Sequence, residues 1–249
     1  MSHLYETHLH TSIASRCAHS RGSEYVRHYQ DLGYSGIIVT DHFYRGYTAI
    51  TKKLPWKEWV HRFCRGFEET RDEGARRGFD VFFGWEETFD GIDDYLVYGL
   101  DKEWLMEHPE SQKWSRSEQH RAVRAAGGCV VQAHPFRYHS DIGRLKYSVD
   151  FVDGIEAANM GNDRTSDALA MRFARGIGLT TTAGTDIHNV ERVMEGKVFG
   201  VQTKEKLTCI GDYVRAILAN DLAGLKTTEG RFDWHGDEEA DLPFDGSND

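Results

Sequence analysis

The chain has 249 residues, of which 39% are hydrophobic and 28% charged, an ordinary composition for a globular protein with one sizeable core. It contains no run of about 18 apolar residues, so the sequence predicts no membrane helix. The first residues lack the basic and apolar stretches of a secretory signal. The four cysteines are far apart and have no Cys-x-x-Cys spacing, so we expect no disulfide framework and predict a cytoplasmic location.

Much of the formal net charge of −10 lies near the end of the chain. Residues 232–249 contain seven acidic residues and neither Lys nor Arg, so the rest of the chain is near −3. We predict one domain over residues 1–231 and an acidic tail over 232–249 that is mobile or loosely docked. The charge balance does not favour a nucleic-acid-binding surface, and the sequence leaves the oligomeric state open.

Helix-like and strand-like segments alternate along the chain. The strand patterns are short buried apolar runs, whereas the helix patterns have apolar residues at three- and four-residue spacing and end at glycines such as Gly33. In chain order, the predicted elements are a strand over 6–11, a helix over 23–32, a strand over 36–40, a helix over 56–78, strands over 81–83 and 95–98, a helix over 117–126, strands over 129–133 and 154–157, a helix over 167–175, a strand over 179–183 and a helix over 207–222.

The repeated helix-then-strand units predict a mostly parallel sheet in a single α/β domain. The pattern alone does not separate an open doubly wound sheet from a closed barrel. The sequence lacks the glycine-rich phosphate loops of dinucleotide-binding and P-loop proteins, which disfavours those two classes. We expect segments 40–84 and 101–117 to be loop insertions over the site.

Side chains that can bind a metal recur where the predicted strands begin or end. His8 and His10 are two residues apart in the first strand, so their side chains point to the same face. The carboxyl ends of parallel strands form the face on which α/β enzymes build their active sites. Each motif alone is weak, but together they predict a metal site. The further candidates are Asp41, His42, Glu86, Asp93, Asp94, His134, Asp186 and His188.

A mixed set of histidines and carboxylates suits Zn, Mn or Fe ions. Two such ions can share a bridging hydroxide, so no Ser or Cys nucleophile is required. A phosphate substrate also needs cationic partners, and arginine can bind it through two parallel hydrogen bonds. Arg137 is the first candidate because it follows His134 by three residues, and Arg16 and Arg164 are weaker ones. An ordinary surface arginine remains the alternative for all three.

The motifs His-x-His, Thr-Asp-His, Gly-x-Glu, Ala-His-Pro and Asp-x-His occur in this order between about residues 5 and 190. As a set they resemble the PHP (polymerase and histidinol phosphatase) superfamily. The resemblance implies a distorted (β/α)7 TIM-like barrel with a di- or trinuclear metal centre at the carboxyl ends of the strands. It also implies the hydrolysis of phosphoesters.

The resemblance assigns the candidate ligands to three metal positions. It makes Glu86 the bridge between the first two positions. It makes Glu86, Asp186 and His188 the catalytic residues around a metal-bound hydroxide. The first position takes His8, His10, Glu86 and Asp186, the second takes Glu86 and His134, and the third takes His42 and His188.

Two positions depart from the commonest pattern of that superfamily. Cys17 stands where many relatives carry a histidine, and either its thiolate completes a third site or Cys17 is a small buried residue without a ligand role. Asp94 stands where relatives often carry another histidine, and a carboxylate there suits Mn or Fe better than an all-nitrogen zinc site.

The sequence therefore predicts an enzyme with two or three divalent metal ions that hydrolyses a small phosphomonoester, such as a nucleotide, a sugar phosphate or histidinol phosphate. One alternative is an amidohydrolase-type metallohydrolase that acts on C–N bonds. Such enzymes often use a modified lysine as the bridge, and no lysine occupies a strand end comparable to that of Glu86. A catalytically silent, metal-stabilised binding module is a second alternative.

Overall fold

A computed structural model describes residues 2–91, 93–137, 149–193 and 198–233, which form one nine-stranded sheet with helices packed against it. The strands are β1 (His3–Leu9), β2 (Gly36–Val39), β3 (Asp80–Phe89), β4 (Asp93–Tyr98), β5 (Cys129–Gln132), β6 (Gly154–Asn159), β7 (Thr180–Gly184), β8 (Gly200–Thr203) and β9 (Gly224–Lys226). The helices are α1 (Gly22–Asp31), α2 (Trp56–Phe63), α3 (Arg65–Arg77), α4 (Lys102–Glu107), α5 (Arg116–Ala125), α6 (Arg164–Ile177) and α7 (Ile210–Leu218).

The strands are hydrogen-bonded in the order β7-β6-β5-β4-β3-β2-β1-β8-β9. Strand β1 pairs in parallel with β2, β2 with β3, β5 with β6, and β6 with β7. The pairings of β3 with β4, β4 with β5, β1 with β8, and β8 with β9 are antiparallel. The prediction of a mostly parallel sheet was therefore wrong for half of the pairings.

The reversal in the middle of the sheet comes from a hairpin that the strand pattern did not reveal. Strand β3 continues to Phe89, well beyond the predicted end at residue 83, and pairs with β4 as far as Asp93. Between them, Asp90 and Gly91 both have positive φ angles, of 52° and 79°. Asp-Gly favours such hairpin turns, and this dipeptide is the signal that could have located the reversal.

The sheet curves until its first and seventh strands meet, and the result is a nearly closed barrel. The Asp186 amide donates to the His8 carbonyl at 2.8 Å, and Leu9 forms a parallel bridge with Ile187. The Thr7 hydroxyl also donates to the Ala183 carbonyl at 2.9 Å. The predicted TIM-like barrel is thus confirmed, and the open doubly wound alternative is excluded.

The segments expected to be insertions over the site carry helices of their own. The helix predicted over 56–78 is divided at Cys64 into α2 and α3. Segment 101–117 contains α4 and a 3₁₀ turn over Pro109–Lys113. The helix predicted over 207–222 is shorter, as α7, and the other predicted elements differ from the observed ones by a few residues at their ends.

Aromatic side chains on α2 fix the loop that follows β2. The rings of Trp59 and Phe63 stack with centroids 5.1 Å apart, and Phe43 packs edge-on against both of them. Trp59 is completely buried, so the helical spacing of these aromatic residues marks a core face. Because Phe43 is the neighbour of His42, this packing sets the position of a candidate ligand.

The described part of the chain ends just after residue 231. Phe232 is partly buried and packs with the buried residues Ala158, Ala183 and Phe199. Residues 234–249, which hold most of the predicted acidic tail, lie outside the described residues, so the domain boundary stays a prediction. Among the described residues, the helices are all too short or too polar to cross a membrane.

Candidate metal centre

The closure of the barrel brings His8 and His10 close to Asp186 and His188, the candidate ligands from the two ends of the motif set. His8 Nε2 lies 3.1 Å from His10 Nε2, so both rings point to one place, as their spacing in β1 predicts. Asp186 Oδ1 faces the same point, 3.4 Å from His8 Nε2 and 3.2 Å from His10 Nε2. A pair from the first strand and a residue that follows β7 therefore form one wall of a single site.

Glu86 lies at the centre of this site, within β3 and not after it. Its Oε1 is 3.2 Å from Nε2 of both His8 and His134. Its Oε2 is 2.7 Å from His42 Nδ1 and 3.6 Å from His10 Nε2. The two carboxylate oxygens thus face different histidines, which is the arrangement required of a bridging ligand.

The donor atoms fit a cluster of divalent ions. Glu86 Oε2 and His42 Nδ1 are buried, and neither makes a hydrogen bond of acceptable geometry to any described residue. Buried polar atoms are rarely left unpaired, so a cation is the natural partner for these lone pairs. In four groups, all ligand atoms lie within 4.8 Å of one another: His10, His42 and His188; His8, His134 and Asp186; His8, His10 and Glu86; and Glu86, Asp94 and His134.

Asp94 joins the cluster because its strand runs antiparallel to its neighbours. Its place at the start of β4 therefore lies at the same end of the barrel as the carboxyl ends of the parallel strands. Asp94 Oδ2 is 3.9 Å from His134 Nε2, and Asp94 Oδ1 accepts a hydrogen bond from the Thr88 hydroxyl at 2.6 Å. Burial, together with the Glu86 carboxylate, raises the pKa of Asp94 to about 6.

Cys17 lies beside the cluster and belongs to none of the four groups. Burial opposes ionisation of its thiol, but hydrogen bonds to His188 and His42 outweigh burial and lower its pKa to about 7. The thiol therefore faces the two histidines assigned to a third metal position. A ligand role for Cys17 stays a prediction.

Buried acceptors behind the first two histidines hold their rings in place. Glu156 Oε1 accepts from His8 Nδ1 at 2.9 Å, and the Ser15 hydroxyl bonds His10 Nδ1 at 3.1 Å. Ser15 in turn donates to Asp41 Oδ1 at 2.7 Å. These bonds leave Nε2 of each ring for the metal, since the partner of one ring nitrogen sets the role of the other.

Two residues behind the cluster have roles that the sequence did not predict. Glu156, which no motif marks, is a completely buried carboxylate that also accepts the His134 amide at 2.9 Å. Asp41, a candidate ligand from its position after β2, instead accepts the amide and hydroxyl of Thr11 at 2.6 and 2.7 Å. Asp41 supports the site from behind and contributes no atom to the four groups.

The pKa values of the two histidines from the first strand are shifted in opposite directions. Burial opposes charge on His8, but the Glu156, Asp186 and Glu86 carboxylates outweigh it and hold the pKa of His8 well above its usual value. For His10, burial and the neighbouring His42 ring hold the pKa well below its usual value. The carboxylates therefore stabilise a positive charge between them. A divalent cation could supply that charge while the histidines stay neutral.

Two of the candidate ligands have strained backbone conformations. His134 has a φ angle of +28° and Asp186 one of +54°, values that side chains other than glycine rarely adopt. Each costs on the order of 1–3 kcal/mol, and such residues concentrate at functional sites. The turns after β5 and β7 aim both side chains into the barrel end at this cost.

The three arginines predicted to bind phosphate have different surroundings. Arg137 lies at the cluster, where its Nη2 donates to Asp186 Oδ2 at 2.9 Å. Arg16 is exposed at the rim, with Cζ 5.5 Å from the centre of the Tyr47 ring. Arg164 is exposed in the first turn of α6, and within the described residues no contact joins it to the cluster.

No family model and no curated protein matches the chain, whereas solved structures share its fold. One is a two-domain protein from Bacteroides vulgatus ATCC 8482 that contains a predicted PHP-like metal-dependent phosphoesterase. It has a TM-score of 0.63 and 16% identity over 92% of this chain, which spans 65% of that protein. A putative metal-dependent phosphoesterase from Bifidobacterium adolescentis ATCC 15703 has a TM-score of 0.56 and 17% identity, covering 87% of this chain and 96% of that one.

An amidohydrolase from Chromobacterium violaceum is also similar, with a TM-score of 0.52 and 14% identity over 90% of this chain and 97% of that one. The chain thus has the fold of PHP-like metal-dependent phosphoesterases, as the motif set predicted, and metal-capable side chains lie close together at the carboxyl ends of its parallel strands.

Proposed function

We propose that this protein is a metal-dependent phosphoesterase that hydrolyses a small phosphomonoester. The observation that carries the proposal is the position of Glu86, whose two oxygens face separate histidines. The Arg137 guanidinium at Asp186 adds a fixed cation on the same wall. Divalent ions at these donors, together with the guanidinium beside them, would suit a phosphate dianion better than a neutral group.

Each side chain has a definable task in this proposal. His8, His10 and Asp186 would hold one ion together with Glu86, and His134 and Asp94 would hold a second, also with Glu86. The third position would take His42 and His188, whose ligand atoms lie within 4.8 Å of each other. When bound, the ions lower the pKa of water and supply hydroxide near neutral pH. The His188 Nδ1–H donates to the Asp186 carbonyl at 2.7 Å, which leaves its Nε2 toward the site.

An amidohydrolase is the second candidate, because one structure with this fold is described as such an enzyme. The bridging position here is held by Glu86, which needs no modification of a lysine. A catalytically silent metal-binding module is disfavoured, because the cluster retains a complete set of donors around its bridging carboxylate.

Purified protein, analysed for metal and supplied with Mn²⁺, Zn²⁺ or Fe²⁺, should hydrolyse p-nitrophenyl phosphate. His10→Ala and Asp186→Ala each remove a donor from the first metal position, so we expect at least about a 100-fold loss of kcat/KM. His28→Ala, an exposed histidine on α1, is the matched control and should keep full activity. Absence of phosphatase activity with every metal, combined with hydrolysis of cyclic amides, would favour the amidohydrolase.

Cys17→Ala tests the third metal position separately. If the thiolate is a ligand, the variant should bind about one ion fewer per chain by elemental analysis. An unchanged metal content would remove Cys17 from the ligand set and would leave the other two positions unaffected.

A further inference from the structure

Arg231 reaches from the end of the described chain into the barrel. Its side chain is only 10% exposed, and its Nε donates to Asp167 Oδ2 at 2.6 Å. Its Nη2 donates to the carbonyls of Asn159 and Asn162 at 2.9 and 2.7 Å. A buried guanidinium with three directed hydrogen bonds fixes the segment between β6 and α6.

The same two asparagines hold Arg137 on their other side. Arg137 Nε donates to Asn162 Oδ1 at 2.7 Å, and Arg137 Nη2 donates to Asn159 Oδ1 at 2.8 Å and to Asp186 at 2.9 Å. These bonds use three of the five guanidinium N–H groups, and the two on Nη1 take no part in them. Arg137 is thus held in one orientation beside the metal cluster.

The asparagine amides are oriented by carboxylates. Asn162 Nδ2 donates to Asp167 Oδ1 at 2.8 Å, and Asn159 Nδ2 donates to Glu156 Oε2 at 2.9 Å. An ionised carboxylate only accepts hydrogen bonds, so it forces the amide nitrogen toward itself and the amide oxygen toward Arg137. Either amide in the opposite orientation would place an N–H group against the guanidinium.

We propose that Arg231 is a positioning residue for Arg137, acting through Asp167 and the side chain of Asn162, and that this relay sets the affinity of the site for the phosphate group of its substrate. The proposal rests on the phosphate-binding role of Arg137 in the proposed function. It assigns Arg231, which follows β9, a part in the active site, although Arg231 itself is not a metal ligand.

The positive charge of Arg231 helps to keep the Asp167 carboxyl ionised. Burial raises the pKa of Asp167 to about 6, and the Arg231 guanidinium opposes that rise. Without Arg231, the pKa of the buried Asp167 carboxyl would rise further, and in its protonated form that carboxyl would be a donor itself. The Asn162 amide would then lose its fixed orientation, and Arg137 would lose its Nε partner.

Binding of inorganic phosphate to the Mn²⁺-loaded protein tests the relay without turnover. We expect Arg231→Gln to weaken the calorimetric Kd about tenfold, the loss of roughly one charge-assisted hydrogen bond, with an unchanged metal content. Arg175→Gln, an exposed arginine in the last turn of α6, is the matched control and should leave the Kd unchanged.

A double-mutant cycle separates positioning from a general loss of structure. In protein that already carries Arg137→Gln, the further change Arg231→Gln should have no additional effect on the phosphate Kd. An equal loss in both backgrounds would overturn the proposal, as would an unchanged Kd in Arg231→Gln or a wild-type protein that binds no phosphate.

Asn162→Ala keeps the Arg231–Asp167 ion pair and removes only the link to Arg137. It should weaken phosphate binding to a similar degree, and it keeps the test decisive if Arg231→Gln does not fold. A normal phosphate Kd in Asn162→Ala would contradict the relay. Failure of the proposed function would instead appear as absent phosphatase turnover in a wild-type protein whose phosphate binding still shows this coupling.

Discussion

Glu86 and Glu156 show how differently two buried glutamates serve one site. Glu86 faces the cluster with both oxygens, whereas Glu156 lies behind it and accepts hydrogen bonds from His8, His134 and Asn159. The sequence indicates Glu86 through its Gly-x-Glu motif beside a strand. Glu156 carries no comparable signal beyond a carboxylate in a buried strand, because two of its three partners come from β1 and from the turn after β5.

Glu156→Gln should weaken metal binding about 10- to 100-fold, measured by competition with a chelator. Glu156 accepts from three donors, so the amide nitrogen of the variant must face at least one of them. Glu6→Gln is the matched control, because Glu6 in β1 is also a buried glutamate. Its Oε1 accepts the amides of His8 and Thr185, and its Oε2 accepts the Tyr29 hydroxyl. The hydroxyl can also accept a hydrogen bond, so the amide nitrogen of the variant can face it. Equal metal affinity in the two variants would show that Glu156 does not orient His8.

Helices α1 and α3 support the cluster through close contacts at glycines. A Cβ atom at Gly66 would lie 2.2 Å from Thr11 Oγ1 and 2.8 Å from Asp41 Oδ2. The Thr11 hydroxyl donates to Asp41 Oδ2, and the other oxygen of Asp41 accepts from Ser15, which in turn bonds His10. Helix α3 therefore packs closely against Thr11 and Asp41, the residues that follow β1 and β2. Helix periodicity in the sequence does not reveal this close approach.

Gly66→Ala should lower the free energy of unfolding by about 1–3 kcal/mol, because the added methyl group overpacks this contact. It should also weaken metal binding through Asp41 and Ser15. Gly176→Ala on α6 has nothing within 4 Å of the new Cβ and should instead add up to about 1 kcal/mol, as alanine favours helix. Urea unfolding of both variants measures this, and equal effects would contradict the packing argument.

Across the whole molecule, the candidate ligands come from strands distributed around the barrel, and the site closes where β1 meets the end of β7. An ion held by His8, His10 and Asp186 would therefore link the two edges of the barrel closure. Without a cation, the buried Glu86 and Asp186 carboxylates depend for charge balance on the histidines and, at Asp186, on Arg137. Metal binding should accordingly contribute to the stability of the entire fold.

Removal of metal with a chelator should lower Tm by roughly 5–10 °C, the shift expected if ligand at about 100 times its Kd contributes about 3 kcal/mol. Zn²⁺ or Mn²⁺ should restore the Tm. Mg²⁺ should restore less of it because that ion prefers oxygen ligands. His10→Ala should lose the metal-dependent part while His28→Ala keeps it. A Tm that does not respond to chelator would argue against a metal at the barrel closure.

The sequence by itself determined the alternation of helices and strands and the main metal-capable residues, because both depend on local patterns. The barrel was implied only by the resemblance of the motif set, since hydrophobic patterns do not separate an open sheet from a closed one. Strand ends follow from hydrophobic runs, and two residues such as His8 and His10 share a face by strand geometry alone. The hairpin of β3 and β4 escaped that reading because strand direction is not encoded in an apolar run.

Only the tertiary structure decided what surrounds the ligands. Glu156, Asn162 and Arg231 meet partners tens to hundreds of positions away, and such contacts depend on register, strand direction and barrel closure together. The same holds for the arginines, since Arg137 reaches the cluster while Arg164 does not. Local spacing predicts which side chains share a face, but the position of a hydrogen-bond partner is fixed only when the distant segments pack.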